Sequence, residues 1–180
     1  TGVQTCALPI WEVDDFNVLL GKGADKVCIN SAAFRDPSLI SRSASRFGAQ
    51  CVVVSIDFKD VLGRREVMID HGRTKTGVDP IHWAEEAAAR GAGEIMLCDI
   101  DRDGAGEGLN VEVGAEIADA VGVPVILSGG CGRAEHIVQG FELAKAEGIA
   151  AGTYFSLRDQ NPMQARSHVK NAGIPIRLEH

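Results

Sequence analysis

Four apolar runs in this 180-residue chain end abruptly in residues that could do chemistry. Asn30-Ser31 follows KVCI, Asp57 follows VVVSI, Asp99, Asp101 and Asp103 stand in CDIDRDG, and Ser128-Gly129-Gly130 follows VPVIL. A shorter run, GIA, leads into Ala151-Gly152-Thr153. The SGGCG string lets backbone N–H groups approach an oxyanion at a helix N-terminus, which suits phosphate. The same glycines would serve a tight turn that needs positive φ. A second glycine-bearing end at Ala151-Gly152 favours phosphate, because adjacent loops after the last two strands form the usual barrel phosphate site.

Asp57 closes the run VVVSID and should project into the mouth of the fold. Lost hydration there raises a carboxyl's proton affinity toward the range of a general acid or base. A carboxylate that merely caps the following loop explains the residue equally well. Of the aspartates in DIDRDG, one or two are expected only to satisfy loop N–H groups. Lys26 and Glu94 begin their runs, so they belong at the opposite, N-terminal face, where position alone makes them solvated rim charges. His71 falls in a hairpin pattern and His82 in a helical one, so neither is assigned a catalytic role. No Ser-His-Asp set and no metal-ligand spacing is present, and neither a metal nor a cofactor is expected.

Residues at run ends share one face only if the runs are parallel strands joined by helices, and the chain has that βα rhythm. The candidate strands are Lys26–Asn30, Cys51–Asp57, Glu94–Asp101, Val123–Gly130 and Gly148–Tyr154, each apolar on successive residues, as when both faces are covered. Asp36-Pro37 and Asp79-Pro80 place a capping carboxylate before a proline at a helix start, and those helices should stop near Gly48 and Gly91. Asn110 caps a third helix ending at Gly122, with two more over Arg133–Glu147 and Pro162–Asn171. The stretch between Asp57 and Thr76 breaks the rhythm and reads as an inserted β-hairpin turning around Leu62-Gly63-Arg64.

Composition bounds the rest: 45% hydrophobic and 24% charged residues describe a single globular domain with a real core. The formal net charge of -7 argues against general nucleic-acid binding. No apolar run reaches bilayer length, so no membrane association is expected. Cys6, Cys28, Cys51, Cys98 and Cys131 form no CxxC pair, and reduced thiols in the cytoplasm are the natural reading.

The strings GADKVCINSAA, VVVSIDFK, TGVDPIHWAEEAAARGAGEIMLCDIDRDG and ILSGGCGRAEH, in this order and spacing, resemble the cyclase subunit of imidazole glycerol phosphate synthase. The likeness runs from about Asp15 to Arg177. It implies a (βα)8 TIM barrel, here an incomplete one with about five parallel strands. It also implies a lyase of histidine biosynthesis with no cofactor. That lyase takes ammonia from a glutaminase subunit, its heterodimer partner, and converts a bisphosphorylated ribotide to imidazole glycerol phosphate and aminoimidazole carboxamide ribotide.

By the same resemblance Asp57 matches a catalytic aspartate that serves ring closure. Asn30 and Ser31 match one substrate-phosphate site, and Asp103, Gly104, Gly129, Gly130, Ala151 and Gly152 match the other. Lys26 and Glu94 match two members of a charged gate where ammonia enters, and Asp25 lies at the glutaminase-docking surface. The chain departs from the family at Cys98 and Gly152, where threonine or serine is usual, and at Ala105, where threonine is usual. The hairpin also resembles a paralogous branch that builds amidino groups on surface-polysaccharide sugars, and an inactive phosphate-binding fragment is a third reading.

The opening TGVQTCALPI resembles a translated frame of a short-read sequencing adapter, so residues 1–10 are expected to be a non-native artefact. Residues 11–180 would then be the C-terminal part of one cyclase domain, lacking the first βα units and the other catalytic aspartate. A chain so shortened is expected to be poorly active.

Overall fold

The computed structural model describes residues 10–157 and 160–176. The rest of the 1–10 segment, with Cys6, and the terminal RLEH lie outside the described residues, as does Arg177. Ile10, the last residue of the opening segment, is buried against the core.

The elements alternate as the rhythm predicts. Helix α1 (Val13–Gly21) leads into β1 (Val27–Ile29), then α2 (Ser31–Arg35) and α3 (Ser38–Phe47). Strand β2 (Val52–Val61) runs into the hairpin strands β3 (Arg64–Ile69) and β4 (Thr74–Lys75), followed by α4 (Pro80–Ala89). Then come β5 (Glu94–Asp99), α5 (Val111–Ala120), β6 (Val125–Ser128), α6 (Ala134–Glu142), β7 (Gly148–Ile149), α7 (Thr153–Ser156) and α8 (Pro162–Asn171).

Five of the strands pair in parallel in the order β1-β2-β5-β6-β7. Strand β2 outlasts β1. Its first residues pair with β1, and beyond them the same edge continues antiparallel to β3, which in turn pairs β4. The hairpin turns at Leu62-Gly63, both in the left-handed region, with Asp60 Oδ1 accepting from Gly63 N at 2.7 Å.

The helix starts follow their capping chemistry. Asp79 accepts from Ile81 N at 2.8 Å and Asn110 from Val113 N at 3.3 Å, while Asp36 accepts from Ser38 N at 3.1 Å. Gly48, at φ 92, ends α3 where expected.

Several boundaries differ from expectation. Strand β2 runs on to Val61 rather than ending at Asp57, because its far end pairs with β3 of the hairpin, and β6 is confined to Val125–Ser128 rather than Val123–Gly130. The last strand stops at Ile149 rather than Tyr154, because Thr153 to Ser156 wind into a helical turn that buries Tyr154. Helix α6 stops at Glu142 rather than Glu147, because Lys145 takes a left-handed φ of 54° that no continuing helix allows. Strand β5 stops at Asp99 rather than Asp101, where Asp99 Oδ1 accepts from Asp101 N at 3.1 Å and starts a turn.

Burial alternates along the parallel strands instead of covering both faces. One face sends Val54, Ile56, Ile95, Leu97, Val125 and Leu127 into the helices, where they meet Leu39, Trp83, Val113 and Ile137. The opposite face carries Ser55, Asp57, Met96, Cys98, Ile126 and Ser128, all half-buried among the described residues. The period-2 geometry of a strand makes that division.

Candidate functional site

Ladder register places one row of side chains across the second face. Ser128 pairs Cys98, Cys98 pairs Asp57, Asp57 pairs Met68 and Met68 pairs Lys75. Directly paired residues share a face, so this row is the floor of the C-terminal rim. The loops that follow β1, β2, β5, β6 and β7 rise around it.

Asp57 stands near the middle of that floor. Burial pushes its carboxyl above the usual carboxylate range, offset by hydrogen bonds from Asn30 and then Ser55. Ser55 Oγ is 3.4 Å from Asp57 Oδ1. The negative charge of Asp103 raises the proton affinity further and His71 lowers it. Asn30 thus bonds Asp57, and Asp103 lies near enough for its charge to act on it, although the three come from separate runs. Cys98 next to Asp57 is pushed up to about 12, first by burial and then by the charges of Asp57 and Asp103. It stays a thiol at physiological pH and is no nucleophile.

The aspartates of CDIDRDG divide their work. Asp99 is buried, bonding Asn110 Nδ2 at 2.7 Å and Asp101 N, with Arg102 Nε at 3.3 Å. Asp101 accepts from Asp60 N at 3.1 Å. Two of the three satisfy their surroundings, as expected, and the third, Asp103, faces Asp57 electrostatically.

The first glycine corner is the tight, positive-φ turn weighed from the sequence. Gly129 and Gly130 take φ of 85° and 94°, and a methyl group on them would meet Asp99 O at 2.4 Å and Gly108 O at 2.3 Å. They are locked against the CDIDRDG loop, with Gly108 N donating to Gly130 O at 2.8 Å. The second corner adjoins the first through the β6–β7 pairing, and Ala150 N donates to Leu127 O at 2.8 Å. Gly152 is different, since a methyl there meets open space and its φ is -83°. Gly104, at φ 81°, also has open space around it.

Ser31 Oγ accepts from Asp70 N at 2.9 Å and stands 3.4 Å from Asn30 Oδ1. At the opposite end of the strands Lys26 forms an ion pair with Glu94, and Asp25 beside it is exposed. The two charges, solvated rim groups by position alone and members of one gate by the resemblance, are ion-pair partners.

Sequence reasoning missed two features of the rim. Ser55 lies two residues before Asp57 and could have been found from strand periodicity. His71 was set aside as a hairpin residue, yet its charge reaches Asp57. No local signal in the sequence carries that approach. Among the described residues no His, Cys, Asp and Glu group could hold a metal ion, and no helix is long and apolar enough to cross a membrane.

A parallel sheet backed by helices, with a half-buried carboxylate and paired glycine corners at its strand ends, defines a βα domain of the barrel-forming class. The chain belongs to the histidine biosynthesis protein family, whose model matches residues 9–159. It is 51% identical over 162 residues to a protein of Prochlorococcus marinus (strain MIT 9313) named "Putative imidazole glycerol phosphate synthase subunit hisF2". That match takes in 89% of this chain and 62% of the relative, so the chain spans about three-fifths of the relative's length.

Proposed function

We propose that the protein acts as the cyclase subunit of imidazole glycerol phosphate synthase, a carbon–nitrogen lyase of histidine biosynthesis. The observation that carries this reading is Asp57, half-buried at the rim with Asn30 and Asp103 beside it and the glycine corners on neighbouring strands. The name of the 51% identical relative points to the same activity.

In this reading Asp57, its proton affinity raised by burial, moves protons during ring closure. Hydrogen bonds from Asn30 and Ser55 act in the opposite sense and moderate that rise. The left-handed Gly129-Gly130 turn, with Ala151-Gly152, Asp103 and Gly104, receives one substrate phosphate, largely through backbone N–H groups. Asn30 and Ser31 receive the other. Ser31 is suited to this, because beyond accepting from Asp70 N it spends its own hydroxyl proton only on a long 3.4 Å bond to Asn30 Oδ1, which a phosphate oxygen can replace.

The partner is a glutaminase subunit docked at the N-terminal face near Asp25. Ammonia enters from that side past the Lys26–Glu94 pair. No cofactor takes part, and Cys28, Cys51, Cys98 and Cys131, none of them in a disulfide, suit a reducing cytoplasm.

The test is turnover. Supplied at the full length of its relative, the protein should convert the bisphosphorylated ribotide with ammonium ions as nitrogen source. A folded protein that leaves the ribotide unchanged would overturn the reading.

A further inference from the structure

His71 sits in the longest run of consecutive positive-φ residues among those described. Asp70, His71 and Gly72 follow one another in the left-handed region, at φ of 56°, 58° and 75°. Two of the four non-glycine residues with positive φ among the described residues are in this turn. Strain of this kind persists only where surrounding contacts impose it, and it gathers at functional sites.

The contacts that impose it are on two sides. On one, Asp70 N donates to Ser31 Oγ at 2.9 Å, and Arg35 Nη2 donates to both Asp70 carboxylate oxygens at 2.7 and 2.6 Å. Thr74 Oγ1 adds a bond to Asp70 at 2.9 Å. On the other side, a methyl on Gly72 would stand 2.8 Å from Ile100 Cδ1. Ser31 follows β1 and Ile100 follows β5, and β2 lies between those strands. The turn is therefore a strap across the end of β2, over Asp57. The charge of His71 accordingly acts on two carboxylates, Asp57 and Asp70.

Asp70 is already occupied by Arg35 and Thr74, and Asp57 is half-buried below, while His71 is exposed. The imidazole is thus open to a ligand at the rim. We propose that His71 is an anion-binding residue of the site, its imidazolium contacting the phosphate group that Asn30 and Ser31 hold. This rests on the phosphate reading of Asn30 and Ser31 given above. The ligand class is a phosphomonoester, and the binding it adds is greatest when His71 is protonated.

Other charged groups surround the turn: Asp57 on β2, Arg35 on α2, Asp103 after β5, and Asp70, Arg73 and Lys75 on the hairpin itself. Of these Asp57 has a raised proton affinity, so the imidazole must be followed directly.

Inorganic sulfate is the probe, since its charge does not change across the range in which histidine titrates. Calorimetry should show sulfate binding weaken about tenfold between roughly pH 6 and pH 8.5, the range in which imidazoles in general give up their charge. The His71 ring resonances should shift with sulfate at the same Kd. His71→Asn keeps a residue that tolerates the left-handed turn, and should weaken sulfate binding about tenfold at the lower pH. His71→Lys should restore it and hold it through the higher pH. Binding equal in wild type and His71→Asn, or ring resonances indifferent to sulfate, overturns the proposal while leaving ribotide turnover to decide the cyclase reading. Sulfate binding through His71 in a protein that never turns over the ribotide sustains the anion site and removes the cyclase reading instead.

Discussion

The two faces of the parallel sheet are built from alternate residues of the same strands, yet they do opposite things. Ile56 and Leu97 face the helices and are sealed from solvent. Ser55, Asp57 and Cys98, each one residue away in sequence, face the other side and stay half-exposed. The first face holds the fold together by apolar burial. The second carries polar and titratable groups whose solvation is incomplete, and incomplete solvation shifts the proton affinity of Asp57. Stability and chemistry are separated by a period of two.

The largest test of that separation is Asp57→Asn. Turnover should fall by about two to four orders of magnitude, the usual worth of an acid–base group, while the far-UV spectrum stays native. An active variant would remove the second face's claim to chemistry. Next, Ile56→Ala should cost about 2–5 kcal/mol in urea unfolding, whereas Ser55→Ala should stay within about 0.5 kcal/mol. Similar costs at the two positions would mean that the faces are not divided as described.

The two glycine corners offer a finer comparison. Gly130→Ala meets both a left-handed φ and the Gly108 carbonyl, and should destabilise by about 1–3 kcal/mol. Gly152→Ala meets neither and should stay within about 0.5 kcal/mol. Equal effects in thermal melts would show that the first corner relaxes freely.

The smallest effect is on pH. Because burial raises the folded-state proton affinity of Asp57, the folded protein holds the proton more tightly than the unfolded chain does. Stability is thus lost as pH rises from the ordinary value of 3.8 through the folded one. Asp57→Asn should therefore melt a few degrees higher than wild type near neutral pH, with the gap closing as pH falls toward 3.8. A gap independent of pH would assign the effect to packing rather than ionisation.

Much of this was legible in the residues themselves. The five parallel strands, the hairpin and its turn at Leu62-Gly63, and the caps at Asp79 and Asn110 all follow from short-range rules about periodicity and backbone donors. The rim assembled itself in the reading for the same reason, since strand ends in a parallel sheet share a side. Where local rules ran out, long-range contact decided. The strap at His71 depends on a bond between Ser31 and Asp70, 39 residues apart, and nothing near His71 announces it. The early stop of α6 at Glu142 depends on the backbone of Lys145, a good helix former by type, whose amine reaches Asp119 at 2.5 Å. The pairing of Lys26 with Glu94 joins two runs that were read separately.

Strand β2 runs past the end of β1, and what it does there bears on how the molecule can move. Phe58 O accepts from Ile100 N at 3.0 Å, Asp101 accepts from Asp60 N, and Arg65 pairs with Glu116 and Glu112 on α5. The overhang is bolted to its neighbour at three levels. A ligand that pulled the hairpin inward would have to drag the CDIDRDG loop and the first turns of α5 along with it, so the arm serves as a fixed wall rather than a door.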